Sequence, residues 1–123
     1  MTNSRHFDTV AFDVRENAAM LFFAKTRANG DIDSYVLLMR GVNDEFEETL
    51  CLEIDEQQVS GDGIIEQAEL DGNLLKLSLN RDAAETFGDR EIVVTFDDNE
   101  RNRAGIESGS LRVLGDFLVG GHG

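Results

Sequence analysis

Apolar and polar residues alternate along much of the chain, and a period of two residues predicts β-strands. The stretch Leu50–Asp55 shows the pattern most clearly, because its apolar residues occupy every second position. One face of this strand would carry Leu50, Leu52 and Ile54, and the other Cys51, Glu53 and Asp55. The other predicted strands are Val10–Val14, Ala19–Lys25, Ser34–Arg40, Ile64–Leu70, Leu74–Leu79 and Glu91–Phe96.

Turn residues separate these strands at short intervals. Ala28–Asp31 and Ser60–Gly63 have turn composition, and Asp71-Gly72 is a strong hairpin signal. In Ile64–Leu70 the alternation predicts Ile64, Ala68 and Leu70 inward, with Ile65, Gln67 and Glu69 outward. In Leu74–Leu79 it predicts Leu75, Leu77 and Leu79 on one face.

The pattern becomes helical twice in the last third of the chain. Asn80 suits the N-cap of a short helix over Arg81–Phe87, and Gly88 suits its end. Asp97 would cap a second helix, with Glu100 in the capping-box position, that runs to about Leu118. Glycines weaken this second helix and favour a break near Gly109. Its apolar face would hold Ile106, Val113, Leu114, Phe117 and Leu118.

Together these elements predict one α+β domain over residues 1–123, with an ordered core at about 8–118. The fold would be a mainly antiparallel β-meander of about six to seven strands. The short helix and the C-terminal helix would pack on one face of the sheet; a closed barrel is the alternative. Met1–Arg5 and Gly120–Gly123 are expected to be frayed ends.

Net charge narrows the classes of partner. The chain has 11 Lys and Arg against 25 Asp and Glu, which gives a net charge of −14. Such a surface repels nucleic-acid phosphates and anionic membranes, and it attracts basic proteins. The other interpretation is that acidity only maintains solubility. We see no signal peptide and no run near the ~18 apolar residues of a membrane span, so we expect a cytoplasmic protein.

Candidate chemistry is sparse, and we expect no cofactor, no metal and no catalytic residue. His6 and His122 lie near the termini and would be tail residues. Cys51, the single cysteine, would face outward among acidic neighbours, which do not activate a thiol. The stretch from Asp55 to Glu66 has the length of a calcium loop but lacks its intermediate ligands. An enzyme that uses carboxylates alone remains one hypothesis for the function.

Acidic residues concentrate in one segment. Seven acids fall within thirteen residues, and no Lys or Arg interrupts them. They are Asp44, Glu45, Glu47, Glu48, Glu53, Asp55 and Glu56. Charge of one sign repels itself, so such a cluster is either a solvated face or a contact surface.

Several segments resemble a known bacterial family. These are SYVLLMR at Ser34–Arg40, CLEIDEQQVSGDGIIEQAEL at Cys51–Leu70, NLLKLSLNRDAAETFG at Asn73–Gly88, and EIVVTFDDNE at Glu91–Glu100. Their order of acidic strand, glycine turn, strand and short helix is similar to that of the Imm10-type immunity protein family of polymorphic toxin systems. The turn Ser60–Ile64 and the glycine-rich last helix depart from the family pattern.

The resemblance implies a non-enzymatic antidote that binds a cognate, basic toxin domain and blocks it. The expected contact residues are Asp44, Glu45, Glu47, Glu48, Asp55 and Glu56, with Gln57, Gln58 and Tyr35 as hydrogen-bonding or anchor contacts. The alternative is a structural or assembly protein that forms a homodimer, in which Ile65, Leu74 and Val93 would seed the interface.

Overall fold

The computed structural model describes residues 2–15, 18–41, 50–61, 63–115 and 118–119. Within these residues the chain forms ten strands, the last of only two residues, and two helices. The α+β class and the mainly antiparallel pairing are confirmed, but the predicted number of six to seven strands is wrong. The strands form two five-stranded sheets rather than one meander.

The first sheet, called sheet I, has the strand order β2-β3-β4-β5-β6 and is antiparallel throughout. Its strands follow one another along the chain, so each pair is a local hairpin. The strands are β2 (Thr9–Arg15), β3 (Ala18–Thr26), β4 (Ile32–Gly41), β5 (Leu50–Ile54) and β6 (Gln57–Gly61).

The second sheet, called sheet II, has the order β1-β9-β8-β7-β10 and contains two parallel pairs. Its strands are β1 (Thr2–Phe7), β7 (Ile65–Asp71), β8 (Leu74–Leu79), β9 (Glu91–Phe96) and β10 (Leu118–Val119). The expectation of a frayed N-terminus is wrong, because β1 pairs with β9 along its whole length. The apolar pattern that reveals other strands is absent from β1, since only Phe7 of its residues is a large apolar one.

Strand β6 was also missed, because the turn before it contains no glycine. Asp55 and Glu56 form this turn with positive φ angles of 47° and 75°. Two consecutive residues at positive φ form the two-residue turn that joins twisted antiparallel strands, and Asn or Gly usually occupies it. The sequence Asp-Glu therefore gave no hairpin signal, and the predicted turn at Ser60–Gly63 overlaps the end of β6.

The first helix, α1 (Arg81–Phe87), agrees with the prediction at both ends. The Asn80 side chain accepts a hydrogen bond from the Ala83 backbone N–H at 2.9 Å. Gly88 adopts the left-handed conformation at φ 84°, and its N–H donates to the Ala84 carbonyl at 2.7 Å. These bonds satisfy backbone groups that a helix end leaves unpaired.

The second helix, α2 (Glu100–Leu114), begins and ends elsewhere than predicted. Asn99 rather than Asp97 caps it, because the Asn99 side chain accepts from the Asn102 N–H at 2.8 Å. The helix passes Gly109 without a break, and Leu118 belongs to β10 instead. Ile106, Val113 and Leu114 are buried as expected, whereas Phe117 lies outside the described residues.

Two glycines bring α2 close to sheet I. A Cβ atom on Gly109 would lie 2.6 Å from a methyl carbon of Leu21 and 3.0 Å from the Phe12 ring. A Cβ atom on Gly105 would lie 3.1 Å from the Val10 carbonyl oxygen. The glycines that weaken the helix as an isolated element therefore allow it to approach β2 and β3.

The two helices contact different strands. Helix α2 contacts β2, β3 and β4 of sheet I, and α1 contacts β6 and β8, one strand from each sheet. The packing of both helices on one common face stays a prediction. No helix in the described ranges has the length and apolar character needed to cross a bilayer.

The inward faces of both sheets share one apolar core with α2. The rings of Phe7 in β1, Phe23 in β3 and Phe96 in β9 pack against one another in tilted pairs, with centroids 6.3 and 6.0 Å apart. The predicted inward residues of β5 and β8 are buried there. Ile65 was placed outward, which is wrong: the register shifts between Ile65 and Gln67, and this irregularity places Ile64 and Ile65 both in the core.

We expect Gly109→Ala to lower the free energy of unfolding by about 1–2 kcal/mol. The added methyl group would lie 2.6 Å from a methyl carbon of Leu21, which is fully buried, so core side chains must shift to accept it. The gain in helix propensity offsets only part of this loss. Urea unfolding measures the change.

The control is Gly115→Ala, because a Cβ atom on Gly115 meets nothing within 4 Å. Equal stability of the two variants would show that α2 does not depend on close approach at Gly109.

Candidate functional site

Three of the predicted contact residues meet in a cleft at one end of sheet I. The cleft has a volume of about 470 Å³. It lies where β4 begins and where β5 turns into β6. Its lining residues are Phe22, Ile32, Asp33, Tyr35, Asp55 and Glu56.

Asp55 joins the two sheets at the edge of this cleft. Its carboxylate accepts from the Arg5 guanidinium of β1 at 2.5 Å and from the Ser34 hydroxyl at 3.0 Å. It also accepts from the Tyr35 backbone N–H at 2.9 Å. Three donors around one carboxylate hold the turn in its uncommon positive-φ conformation. Asp55 therefore has a structural task besides any contact with a partner.

These contacts determine the protonation of Asp55. Burial by itself raises the pKa of a carboxyl, but here the Tyr35 N–H, the Arg5 guanidinium and the Ser34 hydroxyl together outweigh it. The pKa of Asp55 consequently lies below its ordinary value. The carboxylate is charged at neutral pH, and Arg5 balances that charge locally.

Tyr35 forms the wall of the cleft and connects it to β5. Its hydroxyl donates to the Glu53 carboxylate and accepts from the Glu56 backbone N–H at 3.0 Å. Its ring lies against Phe22, with centroids 5.8 Å apart. The hydrogen bond to Glu53, together with burial, raises the pKa of Tyr35 above its ordinary value.

The remaining cleft residues differ in their charge balance. Asp33 accepts two hydrogen bonds from Arg27, at 3.0 and 2.8 Å. Glu56 has no ion-pair partner among the described residues, so its carboxylate contributes an unbalanced negative charge at the surface. Ile32 is 51% exposed and supplies an apolar rim. The cleft thus combines aromatic, aliphatic and acidic groups.

The other predicted contact residues are distributed as follows. Gln57 and Gln58 lie exposed on β6, beside the cleft turn. Asp44, Glu45, Glu47 and Glu48 lie outside the described residues. Sequence reasoning missed Phe22, Ile32 and Asp33, because each belongs to a different part of the sheet from the acidic segment.

Two expectations about single residues need correction. Cys51 lies on the outward face of β5 as predicted, yet it is only 9% exposed, and Gln58 Nε2 lies 2.7 Å from its sulfur. His6 is not a tail residue: its ring nitrogens lie 2.8 Å from Thr95 Oγ1 and 2.8 Å from Asp97 Oδ1. His122 lies outside the described residues.

Two further observations concern metal ligands and the residues of the alternative interface. They contain no group of three or more His, Cys, Asp or Glu side chains that could hold a metal ion. Of the three residues expected to seed a dimer, Ile65 is buried, while Leu74 and Val93 are half-buried on sheet II.

We expect the titration of Tyr35 to be visible without interference, because the chain has one tyrosine and no tryptophan. Ultraviolet absorbance should show the phenolate forming at higher pH in the folded protein than in urea. Glu53→Gln should move the folded titration toward the unfolded one. Because the pKa of Tyr35 is higher in the folded protein than in the unfolded one, the protonated hydroxyl contributes to stability at neutral pH. That contribution is lost as pH rises above about 10. An unchanged titration in Glu53→Gln would contradict the role of that hydrogen bond.

Acid should weaken the fold partly through Asp55. Because its folded pKa is depressed, its contribution is present above the unfolded pKa and is lost as pH falls below about 4. We expect Asp55→Asn to unfold at lower urea concentration at neutral pH and to lose less stability on acidification. Urea unfolding at several pH values measures both effects, and an identical pH slope in both proteins would refute the prediction.

Comparison with known proteins agrees with the resemblance noted in the sequence. The family model described as Immunity protein 10 matches residues 6–104, which spans every strand of sheet I and most of sheet II. No curated protein and no solved structure matches the chain. On the strength of the match over residues 6–104, the chain belongs to the immunity protein 10 family.

Proposed function

We propose that the chain is a non-enzymatic immunity protein that binds a cognate toxin domain in the cytoplasm and neutralises it. The observation that carries this proposal is the family match over residues 6–104. An immunity protein acts by occupying a surface that the toxin needs, so it requires a binding face rather than reactive groups.

The toxin domain would be basic. A net charge of −14 gives the chain a field that attracts a positively charged protein and accelerates its approach. The candidate contact residues are the acids Asp44, Glu45, Glu47, Glu48, Asp55 and Glu56, with Gln57, Gln58 and Tyr35. Of these, Tyr35 and Glu56 have the geometry best suited to a contact, because they line the cleft and Glu56 forms no ion pair within the part of the chain that the structure describes.

Growth rescue tests the proposal. Toxin domains from the source cell are expressed one at a time from an inducible promoter, with and without this chain. We expect the chain to restore growth against one toxin and to form a stable complex with it after purification. Restoration against none of them would refute the function. A chain that sediments as a dimer and rescues no toxin would favour the assembly alternative.

Charge reversal tests the acidic surface. We expect Glu47→Lys combined with Glu48→Lys to slow association with the rescued toxin by roughly tenfold and to weaken its salt dependence, because steering depends on local charge. Stopped-flow association at several salt concentrations measures both quantities.

The matched control is Glu85→Lys combined with Glu107→Lys. This pair changes the net charge equally and lies on exposed helix positions. Equal effects of the two pairs would mean that total charge, rather than the acidic segment, controls association.

A further inference from the structure

Large apolar residues occupy outward positions in the middle of β3 and β4, although a sheet with one solvated face normally has polar residues there. Met20 and Phe22 of β3 point away from the core, beside Met39 and Leu37 of β4. The register pairs Met20 with Met39 and Phe22 with Leu37. Cys51 of β5 pairs with Met39, but it is buried beneath the Gln58 side chain, so the exposed apolar residues end at β4. The four neighbouring residues of β3 and β4 form a continuous strip, called the methionine face.

Sheet II provides an internal comparison. Its outward positions hold Glu69 opposite Lys76 and Gln67 opposite Ser78. Lys76 also lies 3.3 Å from Glu91 of the next strand. An antiparallel sheet with one solvated face normally shows this polar pattern. Sheet II also has half-buried Leu74 and Val93 at outward positions, but their strand partners there are polar. In the methionine face, large apolar residues pair with one another.

No helix in the described part of the chain covers the methionine face. Helix α2 contacts sheet I from the other side, because Gly109 approaches Leu21 and Gly105 approaches Val10, both of which face inward. The four large residues of the face, Met20, Phe22, Leu37 and Met39, are half-buried. Contiguous apolar surface of this kind marks an interaction site in a soluble protein.

Acidic positions predominate beside the methionine face, where β2 contributes Asp13 opposite Met20 and Arg15 opposite Ala18. Glu53 lies on the same side beside Leu37, and Glu56 borders the cleft at the end of the strip. Among the described residues, the outward positions of β3, β4, β5 and β6 hold no Lys or Arg. The two arginines near the cleft, Arg5 and Arg27, are engaged with Asp55 and Asp33.

We infer that the methionine face and the adjoining cleft form the docking surface for a basic protein segment that presents apolar side chains between Lys or Arg residues. The inference rests on the proposed function and names the surface that would meet the toxin. Apolar anchors would pack on Phe22, Leu37 and Met39, where flexible methionine side chains adapt to their shape. A cationic side chain would enter the cleft between the Phe22 and Tyr35 rings and Glu56.

Charge decides against a second copy as the occupant. Two chains that each carry −14 would bring like charges together across the face. A basic segment instead neutralises Glu53 and Glu56 as it covers the apolar strip.

Short peptides serve as probes. In the first, leucine and arginine alternate; in the second, serine replaces leucine; in the third, glutamate replaces arginine. Two of the three methionines lie on the methionine face, so methyl resonances from labelled methionine report on it, and fluorescence of the single tyrosine reports on the cleft. We expect the leucine–arginine peptide to shift the Met20 and Met39 methyl resonances and to change Tyr35 fluorescence. The other two peptides should bind at least about tenfold more weakly.

Variants locate the binding. Leu37→Ser should weaken the leucine–arginine peptide at least about tenfold. Met39→Gln, which preserves side-chain length, should weaken binding of the same peptide by a smaller factor. This variant still tests the surface if Leu37→Ser does not fold. Val93→Ser is the matched control, because Val93 is a half-buried residue on the outward face of sheet II. Circular dichroism establishes that each variant is folded.

Three results would overturn the inference. One is equal binding of the serine–arginine peptide, which would mean that charge alone attracts the probes. Another is binding that leaves both methionine resonances unchanged. The third is a shift of these resonances with protein concentration alone, which would identify a second copy as the occupant.

Failure of the docking surface can be told apart from failure of the function. If Leu37→Ser rescues growth from the toxin as well as the unaltered chain does, the immunity function stands and the surface is wrong. If the chain rescues no toxin but binds the leucine–arginine peptide at the methionine face, the surface stands and the function is wrong.

Discussion

The close approach of α2 to sheet I is the constraint on which the rest of the structure depends. Gly105 and Gly109 allow it, and Asn102 completes it. The Asn102 side chain is 1% exposed, accepts from the Val10 N–H at 2.9 Å, and donates to the carbonyls of Asp8 and Asp97 at 3.0 and 2.9 Å. One buried amide therefore satisfies backbone groups from the β1–β2 connection, the strand β2 and the segment before the helix. An unpaired amide at this depth would cost about 1–3 kcal/mol, so the helix position and these backbone positions are mutually dependent.

Helix placement in turn determines which face of sheet I remains open. Because α2 occupies the inward side of β2, β3 and β4, the core forms between that side, the helix and sheet II. The methionine face is left on the opposite side. Arg5 makes a second connection between the two sheets, because its ion pair with Asp55 joins β1 of sheet II to the cleft of sheet I. Residues at the cleft thus contribute both to stability and to the candidate site. An Asp55 variant must therefore be measured for its stability as well as for its binding.

Much of the fold could be predicted from the sequence where local chemistry decides. Alternation identified the inward leucines of β5 and β8, and the Asn80 and Gly88 caps fixed the ends of α1. Prediction was wrong where a distant contact decides. Strand β1 depends on pairing with β9, Ile65 is buried by an irregular register, and the α2 glycines make sense only beside Leu21 and Val10. Of the cleft residues, the sequence predicts Asp55 and Glu56 as contacts through their charge, and Tyr35 as a rim or anchor contact. Phe22, Ile32 and Asp33 were missed, because they lie on strands away from the acidic segment and alternation does not show which strands meet in a cleft.

The pairing of β1 with β9 has a consequence for the order in which the chain acquires structure. Sheet I is built from hairpins of neighbouring strands, whose closure entropy is small, so it can form early. Sheet II cannot be completed until Glu91–Phe96 has been synthesised and meets Thr2–Phe7. During translation the first strand must remain unpaired while nearly all the other strands emerge. Sheet II, and with it the shared core, is therefore completed by a late step that depends on how fast β1 meets β9.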